Sequence, residues 1–250
     1  MIEQKRAFNE LLLLRRKAGL LAGNALKASG WEVRRVTRNP EHSLLGLRKL
    51  DIRTILDVGA NTGQFAKTYR RLFPAARVVS FEPIPSAFLE LSSWAASEPR
   101  VTALNVALGE SEGSVDMIEH TQNTVSSSLL STTETSVNIW PAQARQRMVP
   151  VAVTTLDKAV AGQALEPKVL VKLDVQGYED RVIRGASETL RHTAAAIVEV
   201  NLDNLYEGQA RFKDIVNGLD AAGLRYAGAL EQTIHSDGHV IFFDALFLRP

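Results

Sequence analysis

The amino-acid sequence predicts an α/β fold built on a mostly parallel sheet, and three observations lead to that prediction. Short β-branched apolar runs alternate with amphipathic segments from residue 54 onward, which is typical of βαβ units. A glycine turn, Asp57 to Gly63, directly follows the first apolar run and precedes a helical pattern. The last two apolar runs are joined by a short turn, so we expect an antiparallel hairpin at the end of the sheet.

The first 50 residues are predicted to form an N-terminal helical cap, and residues 51–250 the main domain. Apolar residues recur at helical spacing in two stretches, which Gly30, Asn39 and Pro40 separate. Residues before the first strand are strongly basic, whereas the chain as a whole has a net charge of only +1. Such a segment is usually a solvated helix face, so we expect at most weak peripheral membrane contact and no nucleic-acid partner.

Composition excludes several classes of protein. With 250 residues and 45% hydrophobic content, the chain suffices for one large domain with a substantial core. The absence of Cys removes disulfide frameworks, thiolate nucleophiles and Cys-based zinc sites, and it fits the cytoplasmic location that we expect. No run approaches about eighteen apolar residues, so no membrane span is predicted.

The predicted strands and helices alternate along the main domain. The strands are Thr54–Val58, Arg77–Phe81, Val101–Val106, Val169–Leu173 and Ala195–Val200, followed by the hairpin strands Tyr226–Leu230 and Ile241–Leu248 around Ser236-Asp237-Gly238. The helices are Gly63–Phe73, Pro85–Ala96, Tyr178–Arg191 and Gln209–Ala222, and Gly223 ends the last of them.

One stretch interrupts this alternation. Residues 121–136 are dense in Ser and Thr, and they precede a further strand-like run from Met148 to Thr154. The stretch is either a mobile surface loop or a lid over a substrate site, and the sequence favours neither.

The glycine turn is the strongest candidate binding element. Glycines allow a sharp turn and a close ligand approach, and the amide groups at the helix start can bind polar ligand atoms. An acid at the strand end disfavours a pyrophosphate and suits a cationic ligand with an amino group, such as S-adenosylmethionine. The spacing also departs from the dinucleotide fingerprint, because Asn61 stands where a second glycine is expected. The predicted donor-binding residues of the turn are Asp57, Gly59, Ala60, Asn61 and Gly63.

Two further strand ends extend this candidate site. Glu82 ends the second strand at the distance where Rossmann-like folds place the acid that binds ribose hydroxyls, and Pro83 follows it. Asn105, Val106 and Ala107 lie where the third strand would pass an adenine ring, although Asn105 could instead cap the turn that follows.

With these residues in place, the chain resembles the FkbM-type methyltransferases, a family of S-adenosylmethionine-dependent enzymes associated mainly with O-methylation. The resemblance covers roughly residues 50–224, and its motifs are Asp57 to Gly63, Phe81-Glu82-Pro83, Asn105 to Gly109, Ser127-Ser128-Leu129, Thr155-Leu156-Asp157 and Lys172 to Glu179. It implies a Rossmann-like class I methyltransferase fold with a seven-stranded, mostly parallel sheet and an antiparallel last strand. Tyr178 departs from the small residue common there, which bears on the acceptor pocket or on helix packing.

Candidate catalytic residues follow the fourth and fifth strands. Asp174 ends the fourth strand, where parallel sheets present ligand-facing residues, and it is the first candidate to position or deprotonate a hydroxyl. Lys172 points to the same side, and either it has a partner such as Asp174 or Glu199, which ends the fifth strand, or its ammonium leans outward to solvent. A purely structural ion pair is an equal alternative. Glu179 is favoured as a helix N-terminal charge.

No metal ion is predicted. His235 and His239 lie in the terminal turn, where imidazoles four residues apart do not share a helical face, so a solvated hairpin is expected.

The sequence therefore predicts a methyltransferase that uses S-adenosylmethionine to methylate a hydroxyl of a sugar, glycan or natural-product small molecule. Two alternatives remain open: an NAD-dependent oxidoreductase, and a non-catalytic nucleoside-binding module.

Overall fold

A computed structural model describes Leu47, residues 49–122 and residues 124–250. The predicted N-terminal helical cap over residues 1–50 lies outside the described residues except at its last positions. The boundary between that cap and the main domain therefore stays a prediction.

The strands are, in chain order, β1 Thr54–Val58, β2 Arg77–Phe81, β3 Val101–Leu104, β4 Ala107–Leu108, β5 Gly113–His120, β6 Gln146–Thr154, β7 Val169–Leu173, β8 Thr193–Asn201, β9 Arg225–Ile234 and β10 Val240–Leu248. Within the described residues, seven of them form one sheet in the order β3-β2-β1-β7-β8-β10-β9. The first five strands in this order, β3, β2, β1, β7 and β8, run parallel, and β10 runs antiparallel to both of its neighbours. The predicted sheet and its antiparallel hairpin are confirmed.

The helices are α1 Gln64–Leu72, α2 Pro85–Ser97, α3 Glu134–Ile139, α4 Leu156–Val160, α5 Glu179–Arg184, α6 Ser187–Arg191 and α7 Phe212–Ala221. The core lies between one face of the sheet and helices α4 to α7. Leu173 and Val198 of the sheet belong to one buried cluster with Val182 of α5 and Ile215 of α7, and all four are 0% exposed. Burial of each such side chain contributes roughly 1.5–3 kcal/mol. The carboxyl ends of the parallel strands are thereby held at one rigid edge.

A second sheet was not predicted in full. Strand β6 pairs with β4 in parallel and with β5 in antiparallel, from Gly113 opposite Val153 to His120 opposite Gln146. The first four residues of β5 are exposed, so its apolar alternation is too weak to identify it as a strand. Met117 of this strand packs against Ile84, which brings the small sheet beside the carboxyl end of β2.

The single helix predicted from Tyr178 to Arg191 is wrong, because the chain forms α5 and α6 with a break at Gly185. A Cβ atom at Gly185 would lie 2.0 Å from the carbonyl oxygen of Gly109. This approach requires glycine at position 185, and the helix is interrupted at Ala186, whose φ of −124° and ψ of 18° are not helical. Sequence periodicity does not report such a tertiary contact.

Among the residues that the structure describes, no helix combines the length and apolarity required to cross a membrane.

Candidate active site

The loops after β1 and β7 touch each other at the carboxyl edge of the sheet. The amides of Gly59 and Ala60 donate to the carbonyl oxygen of Phe81 at 3.1 and 3.0 Å. Gly59 has a φ of +79°, and a Cβ atom there would lie 1.9 Å from the carbonyl oxygen of Asp174. Only glycine tolerates both this backbone conformation and this approach. The predicted turn therefore brings the ends of three strands together.

Glu82 braces two loops with its carboxylate. Its Oε2 accepts the amide of Asn61 at 2.7 Å, and its Oε1 accepts the amide of Ile84 at 2.7 Å. Burial raises the pKa of Glu82 to about 7, although these two amides act in the opposite direction. The residue predicted to bind ribose also shapes the loops around that position.

A cleft opens between these loops, with about 510 Å³ of space including its open mouth. Its lining combines apolar residues with a few polar ones, which is typical of a small-molecule site. Seven predicted site residues line it: Gly59, Asn61, Glu82, Pro83, Val106, Ala107 and Asp174. The lining also includes Tyr178, which was expected to bear on the acceptor pocket or on helix packing, and four residues of the Ser/Thr-rich stretch, Thr124, Val125, Ser127 and Leu129. The remaining lining residues had no predicted site role and are Val58, Phe81, Leu108, Met117 and Val175.

The predicted donor-binding residues Ala60, Gly63 and Asn105 are not among the residues that line the cleft. Gly63 packs at the start of α1, where a Cβ atom would lie 3.0 Å from Leu91. Asn105 donates from Nδ2 to the carbonyl oxygens of Glu82 and Pro83 at 2.8 and 3.0 Å. These side chain-to-backbone contacts agree with the predicted alternative, in which Asn105 stabilises a turn. Gly63 and Asn105, like Ala60, thus shape the loops that form the wall.

Asp57 does not line the cleft either, and it is 1% exposed. Its Oδ2 is buried and has no hydrogen-bond partner among the described residues. Burial raises the pKa of Asp57 to about 7, and the nearby ammonium of Lys172 opposes the shift. A buried, unpartnered carboxylate oxygen beside the glycine turn fits a ligand that brings positive charge.

Replacement of Asp57 by Asn is expected to stabilise the empty protein above neutral pH. The folded protein keeps a proton on Asp57 up to about pH 7, whereas an unfolded chain releases it near pH 3.8. The stability from this group is therefore complete below pH 3.8 and is lost as pH rises through about 7. The difference in free energy of unfolding between Asp57→Asn and wild type should grow from near zero at pH 4 to about 2–4 kcal/mol at pH 8. Urea titrations across this range measure it, and a constant difference would contradict the expectation.

Lys172 lies at the centre of a buried charge cluster. Its Nζ lies 2.6 Å from Oδ1 of Asp244 and 3.5 Å from Oδ2 of Asp174. Burial alone would lower the pKa of Lys172, but Asp174, Asp244 and Glu199 outweigh it and raise that pKa. Of the two partners predicted for Lys172, Asp174 is confirmed as a direct contact. The shorter contact is with Asp244, which sequence analysis missed, although a lone acid in the apolar strand β10 was a usable signal.

Gln176 joins the acidic residues to one another. Its Nε2 donates to Asp174 Oδ1 and to Glu199 Oε1, both at 2.7 Å. Its Oε1 accepts the hydroxyl of Tyr206 at 2.6 Å, and its backbone oxygen accepts the hydroxyl of Ser128 at 2.7 Å. Burial, followed by the charge of Asp174, raises the pKa of Glu199 well above its ordinary value. Asp174 and Glu199 are thus held in one fixed arrangement, and only Asp174 reaches the cleft.

The Ser/Thr-rich stretch packs over this site. Thr124, Val125, Ser127 and Leu129 line the cleft, and Asn61 donates from Nδ2 to the hydroxyl of Thr124 at 2.9 Å. The stretch is also tied to the body through the Ser128–Gln176 contact described above. Of the two predicted alternatives, a cover over the site agrees with these contacts.

Glu179 supports the loop between β7 and α5. Its Oε1 accepts the amides of Val175 and Gly177 at 3.2 and 3.1 Å. This is the helix N-terminal role that the sequence favoured over catalysis.

Comparisons with known proteins agree with this geometry. The model of the methyltransferase FkbM domain matches residues 57–226. The 2-O-methyltransferase NoeI of Sinorhizobium fredii (strain NBRC 101917 / NGR234) is 30% identical over 179 residues, which cover 65% of this chain and 69% of the relative.

A solved structure has a similar fold. It is the methyltransferase FkbM from Methylobacillus flagellatus KT, with a TM-score of 0.52 and 14% identity. The match covers 79% of this chain and 44% of that protein, so the chain spans less than half the length of this solved relative.

Proposed function

This chain belongs to the FkbM methyltransferase family, and from that premise we propose that it methylates a hydroxyl oxygen of a sugar, a glycan or a natural-product small molecule. The methyl donor of the family is S-adenosylmethionine. Because both the family and the curated relative are methyltransferases, they do not support the alternative of an NAD-dependent oxidoreductase.

The cleft fits this donor in its chemistry. The Glu82 carboxylate is suited to ribose hydroxyls, and the neighbouring apolar wall of Phe81, Val106 and Leu108 is suited to a flat purine. The unpartnered oxygen of Asp57 and the carboxylate of Asp174 favour a cation at the other end. We therefore assign donor binding to the lining residues Gly59, Asn61, Glu82, Pro83, Val106 and Ala107. Asp57, Ala60, Gly63 and Asn105 do not line the cleft and support the loops that form its wall.

The observation that carries the proposal is the placement of Asp174. Of the three acids around Lys172, which are Asp174, Asp244 and Glu199, Asp174 alone lines the cleft. Its backbone also lies against the glycine turn. When bound, the donor supplies an electrophilic methyl group on a sulfonium sulfur. Asp174 accepts the hydrogen bond of the acceptor hydroxyl, aims its oxygen, and takes the proton as that oxygen attacks. Lys172, Gln176 and Glu199 position Asp174 and do not touch the acceptor.

An O-methyltransfer assay tests the proposed function. Purified protein is incubated with isotopically methyl-labelled donor and a panel of pyranosides, with matched amino sugars for comparison. The proposal expects label on oxygen, identified by mass spectrometry, and a loss of turnover in Asp174→Asn that exceeds its loss of donor affinity. Label on nitrogen would contradict the proposed acceptor, and donor binding without turnover would favour the non-catalytic alternative.

Tyr206→Phe tests whether the Gln176 arrangement serves turnover. The change removes the hydroxyl that Gln176 Oε1 accepts and leaves a buried acceptor unsatisfied, at a cost of about 1–3 kcal/mol. We expect kcat to fall about tenfold while donor affinity stays the same, because Asp174 loses its fixed orientation. Steady-state kinetics and donor titration measure both quantities.

Tyr226→Phe is the matched control, because Tyr226 lies on β9 and is 44% exposed. Equal losses in the two variants, or a loss of donor affinity in Tyr206→Phe, would contradict the positioning role.

A further inference from the structure

The turn between β9 and β10 gathers two imidazoles and a carboxylate. One candidate ligand atom from each of His235, Asp237 and His239 lies within 4.8 Å of the other two. The sequence predicted a solvated hairpin, because residues four apart do not share a helical face. In the hairpin turn, however, the two imidazole rings stack with their centroids 4.9 Å apart.

The nitrogen atoms converge on one carboxylate oxygen. Nδ1 of His239 lies 2.6 Å from Oδ1 of Asp237, and Nδ1 of His235 lies 3.1 Å from the same oxygen. The His235 approach lacks hydrogen-bond geometry, and its Nδ1 is shielded from water without a hydrogen-bond partner among the described residues. A shielded ring nitrogen aimed at this shared point calls for an occupant that accepts its lone pair.

A fourth residue stands where the outer shell of a metal site would place it. Nε2 of His239 lies 3.0 Å from Oδ2 of Asp203, in the loop after β8. Histidines that bind metals through one ring nitrogen commonly donate from the other to a carboxylate, which fixes the orientation of the ring. A solvated hairpin does not require such a contact.

Backbone hydrogen bonds order the turn that carries the three side chains. The amide of His235 donates to the carbonyl oxygen of His239 at 2.9 Å, and the amide of Gly238 donates to that of His235 at 3.0 Å. The amide of His239 donates to Oδ1 of Asp237 at 3.1 Å. Little conformational entropy is lost when a ligand binds a turn that is ordered in this way.

We propose that His235 and His239, through their Nδ1 atoms, and Asp237, through Oδ1, bind one divalent transition-metal ion of the zinc class. Asp203 orients His239 from the outer shell, and solvent completes the coordination. Two imidazole nitrogens and one carboxylate oxygen suit zinc, whereas Mg²⁺ and Ca²⁺ require oxygen ligands. The ion displaces the proton between His239 and Asp237, which is released to solvent, and Nδ1 and Oδ1 must separate from 2.6 Å to about 3.3 Å to bind a tetrahedral ion.

The proposed ion would hold the ring of His239, whose contact with Asp203 joins the hairpin turn to the loop that carries Tyr206. Asp203 begins this loop, and its backbone oxygen accepts Nε2 of Gln209 at 2.8 Å. The same loop positions Tyr206 against Gln176. The metal site is independent of the methyl-transfer proposal, and either can fail alone.

The test is calorimetric titration with ZnCl₂ of tag-free, chelator-treated protein. We expect one equivalent to bind the wild-type chain, and saturable binding to be lost in His235→Ala and in His239→Ala. Asp203→Asn should retain one site with about 10–100-fold weaker affinity. His192→Ala, which removes an exposed histidine elsewhere, should bind as wild type does.

Two results would overturn the proposal. One is the absence of stoichiometric zinc binding in the wild-type protein, which would leave an ion-paired hairpin. The other is wild-type affinity in folded His235→Ala and His239→Ala, which would place the ion elsewhere. Circular dichroism of each variant establishes that it is folded.

Discussion

Glu82→Gln is expected to weaken binding of S-adenosylmethionine by about 100-fold or more. The two carboxylate oxygens accept the converging amides of Asn61 and Ile84, and glutamine can offer an oxygen to only one of them. The other amide then faces an NH₂ group, so one loop must move. Loss of the charged acceptor for ribose hydroxyls adds about 1.5–3 kcal/mol for each hydrogen bond. Calorimetric titration of donor into the folded variant measures the change.

The pH dependence of donor binding is a second readout for the same residue. Because burial raises the pKa of Glu82 to about 7, wild-type affinity should rise as pH increases through 7 and the carboxylate ionises. The variant should show a shallower rise, since Asp57 and Glu179, whose pKa values burial also raises to about 7, still titrate in this range. Glu119→Gln is the matched control, because Glu119 is also buried, at 2% exposure, but is not a lining residue. Equal affinity and equal pH dependence in Glu82→Gln and wild type would refute the donor role.

Lys172→Met is expected to destabilise the fold by about 3–5 kcal/mol, because it leaves buried carboxylates without their counter-charge. Lys172 is 4% exposed, and its closest partner Asp244 lies on the antiparallel strand β10. Lys213→Met, at an exposed position on α7, should change stability by less than about 0.5 kcal/mol. Urea unfolding at pH 7 measures both variants.

A double variant separates charge balance from packing. In Lys172→Met combined with Asp244→Asn, one unbalanced carboxylate is removed together with the lysine. The double variant should therefore be more stable than the sum of the two single losses. Additive losses, or a Lys172→Met variant within about 1 kcal/mol of wild type, would show that the cluster does not depend on this ion pair.

The sheet was predictable because its determinants are local. Strands Thr54–Val58, Arg77–Phe81 and Val169–Leu173 have the predicted bounds, since buried parallel strands are continuous apolar runs between turn signals. The first four residues of β5 are exposed, and its burial is confined to the second half, so its pattern gave no comparable signal. The break between α5 and α6 lies beside a close approach of Gly185 to the carbonyl oxygen of Gly109, a tertiary contact that no local pattern encodes.

The site divides in the same way. Gly59, Glu82 and Asp174 were found because each follows a strand, where the topology of a parallel sheet alone places it at the carboxyl edge. Asp244 and Tyr206 were missed because they reach Lys172 and Gln176 through antiparallel pairing and a long loop. Spacing also could not show that Asp57 and Asn105 do not line the cleft, because that distinction depends on side-chain direction.

The 1.9 Å between a Cβ atom at position 59 and the Asp174 carbonyl oxygen restricts how the acceptor range of this protein can be redesigned. A substitution that displaces the end of β7 to admit a larger substrate also displaces the glycine turn, so a broader acceptor range would be gained at the expense of donor retention. Leu129, Val125 and Tyr178 lie on the cleft wall but outside this contact. Libraries that place smaller residues at these three positions would enlarge the cavity without displacing the glycine turn at the proposed donor site.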